Sequence, residues 1–505
     1  MTSYSRGASL QPVLAALTVL SIVAVGFLLL AYPTQVADAI ANMTQSVVSR
    51  AGTGVLWLCS AALLLSLVLM VGPWGRRRLP ASGSGPEFSL PAWLSMLFAA
   101  GMGSGLVFWG LAEPLSHFQA PPVPGEGNDS ADAGRALALT YLHWGFHAWA
   151  VYAVAGLAFA WLAAAGPDEN DKTGAGLNLL QGLTGASRDG AAAQMAGGSF
   201  DLIALVAVLF GVAGSLANGV DLMQVGLSAQ GVLALPGWLL LAVLGIVSLL
   251  SAASGLRQGI RLLSMLNMGL AVVLLCWLWV VIDWSSAGSL WLGSIVTYLL
   301  ELPAWSIKLI SADGDTTWAE GWTVVYLLWW IAWTPFVGLF LAGISRGRTV
   351  AGYLVGVTVV PVLVSFVWFG AFGAGGLVAE LADPGELTAG LATHYTAPLF
   401  LWYEKLPGGG LLAWGSLLLL LIFLVTSADS AAWVMNRLGS QLLPGLRGVW
   451  GVLMLLVAAA LVVRGDVDIN KQVAIAGAIP FALVLALQMV ALVRTLIFGR
   501  SSARD

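Results

Sequence analysis

The stretch LLWWIAWTPFVG, residues 327–338, sets Trp329, Trp330 and Trp333 in the middle of an otherwise apolar run. On a helix, at about 100° per residue, Trp329 and Trp333 share a face and Trp330 lies about 100° around from them. Tryptophans in membrane proteins usually mark the interfacial belt, but this cluster stands about eight residues from Trp322 and about ten from Ser345 and Arg346. An indole face attracts a cation by about 0.5–1 kcal/mol in the open and about 2 kcal/mol when desolvated. A quaternary ammonium group is the natural guest, because it has no N–H to donate and spreads its charge. Holding it with a carboxylate instead would require desolvating a full charge pair. No Asp, Glu, Lys or Arg occurs between Trp322 and Ala342.

A second aromatic set occurs in TYLHWGFHAWAVY, residues 140–152. Read as one continuous helix, it gathers Trp144, Trp149 and Tyr152 within an arc of about 140°, while His143 and His147 point elsewhere. The histidines stand i, i+4, a spacing that can hold a metal. No carboxylate or cysteine accompanies them in the motif, so a packed, hydrogen-bonded pair is the plainer reading and a metal-dependent membrane enzyme the remote one.

FAAGMGSGLVFWGLAEP carries glycines at 101, 103, 105 and 110. Each interior glycine weakens a helix by about 1 kcal/mol against alanine. Close helix packing is one use for such residues. Four within ten positions favour an unwound segment whose carbonyls and missing side chains leave room for an ion and a solute. LLLLIFLVTSADSAAWVMN places Thr426, Ser427, Asp429 and Ser430 at the end of another apolar run. Such hydroxyls often bond back to the preceding turn, but hard monovalent cations also take oxygen ligands of this kind.

The elements that position these residues are membrane helices. Of the 505 residues, 59% are hydrophobic and 9% charged, and the mean hydropathy is +0.90. Twelve apolar segments suit a hydrocarbon layer of about 30 Å, near 11–31, 54–73, 91–115, 136–164, 200–229, 236–254, 263–283, 322–342, 351–377, 409–430, 447–463 and 470–495. The first is read as a span and not as a removable leader. Cys59 and Cys276 both fall inside spans and read as packing residues. With both termini cytoplasmic, Arg50, Arg135, Lys308, Lys405, Arg464 and Lys471 lie outside, leaving fifteen of the 21 basic residues inside. That asymmetry follows the positive-inside rule. The segment Trp284 to Gly321 contains SIVTYLLELPAWSIKLI, too interrupted to cross, and reads as a helix along the outer interface.

Taken in order, GMGSGLVFWGLAEPLSHF, LHWGFHAWAVYAVAGLA, VLFGVAGSL, SAASGLRQGIRLLSMLN, WWIAWTPFVGLFLAGISRGRTV and LVTSADS resemble the betaine/carnitine/choline transporter family over nearly the whole chain. The resemblance implies an all-α polytopic membrane protein of twelve transmembrane helices. It implies a five-plus-five inverted repeat of the sodium-coupled leucine-transporter type, preceded by two extra helices. The divisions are then 1–90 (extra helices), 91–283 (first repeat), 284–320 (extracytoplasmic segment), 321–495 (second repeat) and 496–505 (cytoplasmic tail).

Carried over residue by residue, the family's substrate box resembles Trp144, Trp149, Tyr152, Trp329, Trp330 and Trp333, with Gly101, Gly103 and Gly105 lining the same cavity. Its sodium site resembles the carbonyls of Ala99, Met102 and Phe423 with the side chains of Thr426 and Ser427. Val208 and Val212 stand where members with a second sodium can carry threonines, which argues for a single ion. Ser104 stands where cavity size is set.

The function implied is import of a compact quaternary-ammonium or zwitterionic osmolyte by sodium symport across the cytoplasmic (inner) membrane, with no catalytic residue and no cofactor. Proton-coupled uptake or sodium-independent exchange is the alternative. The partners implied are the osmolyte, sodium, membrane lipid and further copies in a homotrimer, with no role for nucleic acid.

Overall fold

The computed structural model describes residues 4–497 apart from 82–84, 103, 124–128, 165–173, 186–189, 233–234, 255–260, 440–441 and 443–447. The described chain is helical almost throughout. Its helices are α1 (Tyr4–Ala31), α2 (Pro33–Val71), α3 (Leu90–Gly101), α4 (Gly105–Gln119), α5 (Ser130–Trp144), α6 (Phe146–Ala164), α7 (Ala175–Thr184), α8 (Ala191–Ala229), α9 (Gly237–Ser254) and α10 (Arg261–Val281). They continue as α11 (Trp284–Trp305), α12 (Thr317–Ala319), α13 (Val325–Ile344), α14 (Val350–Leu354), α15 (Val360–Phe369) and α16 (Gly375–Ala382). The last are α17 (Glu386–Thr393), α18 (Ala397–Lys405), α19 (Gly409–Gly439), α20 (Val449–Arg464) and α21 (Val467–Leu492).

Among the described residues, eight helices are long and apolar enough to cross a membrane, or nine if the bent pair α3 and α4 forms one span. Shorter apolar helices at Ala15–Ala31, Gly237–Ser248 and Val449–Arg464 fall on three more of the segments expected from the sequence. The π-helical turn Glu320–Val324 joins α12 to α13, and two others, Val355–Val359 and Gly370–Ala374, join α14 through α16 into one long apolar element.

Burial separates the centre from the periphery. In the most apolar stretch of Thr317–Ile344, 94% of residues are buried, against 33% in Thr34–Val71 and 28% in Arg261–Val281. A helix that is apolar all round belongs at the centre of such a bundle. α13 fills that place, packing on α6, α8 and α21. Without a strong hydrophobic force between helices in lipid, close approach through small residues supplies the packing. Gly338 of α13 meets Ala155 of α6 in this way, and Gly211 of α8 meets Ala332.

Two interruptions bring backbone into the centre. α3 and α4 meet at a 60° bend, as the glycine spacing predicts. The sequence reading treated 140–152 as one helix, and the structure corrects it, because α5 ends at Trp144 and α6 starts at Phe146. Gly145 allows the break. A Cβ there would stand 2.3 Å from the Tyr141 carbonyl oxygen and 2.4 Å from the Tyr298 hydroxyl.

α11 is capped by Asp283, whose side chain accepts from the Ser285 amide. It packs along α5 and leaves Leu292, Val296, Leu299 and Leu300 exposed. Cys59 is buried as expected, whereas Cys276 is exposed, on a helix with most of its surface outside the bundle.

Candidate functional site

A cavity lies where the α3/α4 bend faces α6, α8 and α13. It is lined by Gly101, Met102, Ser104, Gly105, Phe108, Trp109, Trp144, Tyr152, Ser215, Asn218, Tyr326, Trp329, Trp330 and Trp333. None of these residues carries a formal charge. The volume open to the centre of a water is about 60 Å³. At about 10–15 Å³ per water on this measure, that is room for a compact solute.

The two aromatic sets expected from sequence meet here. Trp330 is the shared ring, with centroids 5.5 Å from Trp144, 5.7 Å from Trp149 and 5.0 Å from Tyr152. Its Nε1 donates to the His143 carbonyl at 2.9 Å. In an unbroken helix that carbonyl would accept from residue 147, so the break at Gly145 frees the acceptor that anchors Trp330.

Trp333 donates from Nε1 to the Gly211 carbonyl at 3.2 Å. Trp329 and Trp333 line the same cavity, but their ring partners are Tyr326 and Phe336 respectively. Trp149 stands behind the wall, edge-on to Tyr152 at 5.8 Å. α13 runs through Pro335 without a break.

The glycines leave room for the rings. A Cβ at Gly105 would lie 2.5 Å from Trp144 Cη2, and one at Gly101 would lie 2.9 Å from Trp149 Cη2. Gly103 lies outside the described residues.

The sequence reading passed over Glu113, which organises one side of the cavity. Trp144 Nε1 donates to its Oε2 at 2.7 Å and the Tyr326 hydroxyl donates to the same oxygen at 2.6 Å. His143 Nδ1 lies 2.6 Å and His117 Nε2 3.3 Å from Oε1. With Nδ1–H of His143 toward the carboxylate, Nε2 is left to accept from the Thr323 hydroxyl at 3.0 Å. An acid inside an apolar span, with a histidine one turn on, is the signal that pointed to it.

The expectation that no carboxylate accompanies the histidines is therefore corrected for His143. Glu113, His117 and His143 have the composition of a metal site, with ligand atoms within 4.8 Å of one another. Glu113 uses one oxygen on Trp144 and Tyr326 and the other on the two histidines, and His143 bonds Thr323 through its second nitrogen, while His117 Nδ1 is buried without a hydrogen-bond partner in the protein. His147 belongs to neither group, because its Nε2 faces the hydroxyls of Ser60 at 3.1 Å and Ser306 at 3.0 Å.

Of the expected ion ligands, Ala99 and Met102 are buried at the end of α3, and Phe423, Thr426 and Ser427 are buried in α19. α3 packs on α19. Thr426 Oγ1 donates to the Ile422 carbonyl at 2.9 Å and the Phe423 carbonyl at 3.1 Å, which leaves its lone pairs free. Ser427 Oγ is buried without a hydrogen-bond partner in the protein. A buried hydroxyl in that state can take a water or an ion, and an all-oxygen donor set has the chemistry of a hard monovalent cation site. Val208 and Val212 are fully buried.

Residues 13–499 match the family described as BCCT, betaine/carnitine/choline family transporter. The glycine betaine transporter OpuD of Bacillus subtilis is 33% identical over 475 residues, covering 91% of this chain and 90% of its own. Glycine betaine transporter 1 of Vibrio parahaemolyticus is 35% identical over 458 residues, covering 88% and 84%. An ectoine/hydroxyectoine transporter of Virgibacillus pantothenticus is 32% identical over 447 residues, covering 87% of each. With a family match that spans nearly the whole chain, the chain belongs to the betaine/carnitine/choline transporter family.

Proposed function

We propose that the protein is a secondary active transporter that imports a compact quaternary-ammonium or related zwitterionic osmolyte of the betaine, choline, carnitine or ectoine class. The observation that carries this reading is a buried cavity walled by indole and phenol rings, with no charged residue among its described lining. Such walls reward a diffuse, weakly hydrated cation. The named relatives, two glycine betaine transporters and an ectoine/hydroxyectoine transporter, support the solute class.

On this reading Trp144, Tyr152, Trp329, Trp330 and Trp333 hold the head group, and Trp149 backs Trp330 and Tyr152. Gly101 and Gly105, with Gly103, keep the space clear. Sodium, held by Ala99, Met102, Phe423, Thr426 and Ser427, supplies the coupling gradient. The chain is divided into twelve spans, with repeats at 91–283 and 321–495 after helices in 1–90, a segment 284–320 between them, and both the N-terminus and the tail 496–505 cytoplasmic. Copies assemble as a homotrimer.

Coupling requires that the ion and solute bind one state of the α3/α4 bend more tightly than the other. The α3/α4 bend faces the cavity on one side, and α3 packs on α19. Uptake of glycine betaine into proteoliposomes with sodium replaced by potassium, across a range of pH, tests the coupling. Sodium-dependent uptake is expected, and undiminished uptake in potassium would reject the ion site. A second reading, proton coupling, is favoured by Glu113, which joins two histidines to the cavity rings Trp144 and Tyr326. It requires uptake in potassium that rises with an inward proton gradient.

A further inference from the structure

Next to the cavity, a second aromatic box holds a cation belonging to the protein itself. Lys471 Nζ lies 4.9 Å from the ring centre of Trp109, 4.9 Å from Tyr395 and 5.5 Å from Trp322. These groups come from four parts of the fold. Trp109 is on α4, Trp322 in the π-helical turn before α13, Tyr395 between α17 and α18, and Lys471 near the start of α21. Trp109 belongs to both boxes, because it lines the cavity and packs edge-on to Trp322, Tyr395 and Tyr326 at 6.1, 5.6 and 5.9 Å.

The lysine has a carboxylate partner, Asp468, at 2.9 Å. The Asp468 side chain is 66% exposed and that of Lys471 10% exposed. A carboxylate so open to solvent contributes little by itself, and a largely buried lysine at the end of an apolar helix is expensive to keep. The three rings account for its position. Burial, and then the nearby carboxylates of Asp468 and Asp466, push the Tyr395 phenol up to about 12. It therefore stays a neutral ring under working conditions.

We propose that Lys471 is a tethered rival of the transported cation. Its ammonium occupies the box of Trp109, Trp322 and Tyr395 while paired with Asp468, and a quaternary-ammonium solute seated in the cavity against Trp109 displaces it from the rings toward solvent. This rests on the quaternary-ammonium reading of the cavity. The exchange favours the solute because a primary ammonium is strongly hydrated and regains water when it leaves, whereas a quaternary group has little hydration to lose on arrival. An uncharged solute of the same shape gains no comparable attraction from the rings and leaves the lysine in place. Lys471 is thus a specificity-determining residue that admits cations and turns away neutral isosteres.

The chain has four lysines, Lys172, Lys308, Lys405 and Lys471, so labelling of one is readily followed. Intact wild-type protein in detergent is treated briefly with an amine-reactive ester, with or without tetramethylammonium, and labelling is read by peptide mass spectrometry. Labelling of Lys471 should rise with tetramethylammonium while Lys308 is unchanged, and neutral 3,3-dimethylbutanol should have no effect. Unchanged or reduced labelling of Lys471 overturns the proposal.

In a second arm, Lys471→Met removes the rival charge at similar length. Affinity for glycine betaine should rise roughly threefold to thirtyfold, with Lys471→Arg near wild type, and an unchanged or weakened affinity in Lys471→Met also overturns the proposal. The underlying reading of the cavity fails separately, if Trp330→Leu leaves glycine betaine affinity unchanged, while labelling still reports on Lys471.

Discussion

The carboxylate of Glu113 holds the indole of Trp144, with Nε1 donating to Oε2 at 2.7 Å and both side chains buried. Trp144 in turn packs edge-on to Trp330, the ring shared by both aromatic sets. Glu113→Gln keeps the shape but turns one acceptor into a donor, so one of the groups now facing it loses its partner. An unsatisfied buried polar group costs about 1–3 kcal/mol. Solute affinity should fall roughly fivefold to a hundredfold, while Glu113→Asp keeps more of it. Equilibrium binding of labelled glycine betaine measures both variants, and wild-type affinity in Glu113→Gln would show that the acid does not position the cage.

Gly105 and Trp144 are in close contact. Because Glu113 fixes the indole, the ring cannot move away from a Cβ placed 2.5 Å from its Cη2. Gly105→Ala should reduce uptake at least about fivefold, since overpacking of this kind costs about 1–3 kcal/mol. Gly54→Ala, where a Cβ meets nothing within 4 Å, should transport normally. Initial rates in proteoliposomes, normalised to inserted protein, compare the two.

Ser427 Oγ has no partner within the protein. Ser427→Ala should raise the sodium concentration for half-maximal uptake roughly tenfold, the loss of one oxygen ligand, without changing the fold. If sodium dependence is the same in both proteins, the hydroxyl is not a ligand.

The start of α11 has its own acid dependence. The Ser285 and Ser286 hydroxyls and the Ser285 amide hold the Asp283 carboxyl below its ordinary value. Because the folded pKa is depressed, its contribution is full above the unfolded value near pH 4 and disappears as pH falls through the folded value. Thermal melts of wild type and Asp283→Asn should therefore differ at pH 7, and the difference should shrink as pH is lowered progressively below about 4. A constant difference across that range would contradict the assignment.

Much of this site was legible from the chain because its signals are compositional. Indoles at mid-span, glycines clustered at 101–105 and hydroxyls at 426–427 conflict with a plain apolar helix, and Trp329, Trp330, Trp333, Gly101 and Gly105 line the cavity. What was not legible depends on a single backbone break. Gly145 ends α5, separates His143 from His147 and exposes the carbonyl that anchors Trp330, and helical periodicity applied across the motif cannot reveal it.

Glu113 was visible as an acid in an apolar span. Its partners could not be named, because Tyr326 and Trp144 reach it from helices distant in sequence. The same holds for Lys471, which reads as a charge at the outer end of a span until Trp109, Trp322 and Tyr395 are assembled around it.

The central claim is that the cavity recognises positive charge through aromatic faces. Glycine betaine and 3,3-dimethylbutanoate have the same shape and the same carboxylate, but the second has carbon in place of the quaternary nitrogen. Equilibrium binding of both to the purified full-length protein, in sodium, tests the claim directly. The account predicts at least about tenfold tighter binding of glycine betaine, the difference expected for a desolvated cation over indole faces, and loss of that preference in Trp330→Leu. Equal affinity for the two solutes in the wild-type protein would contradict it.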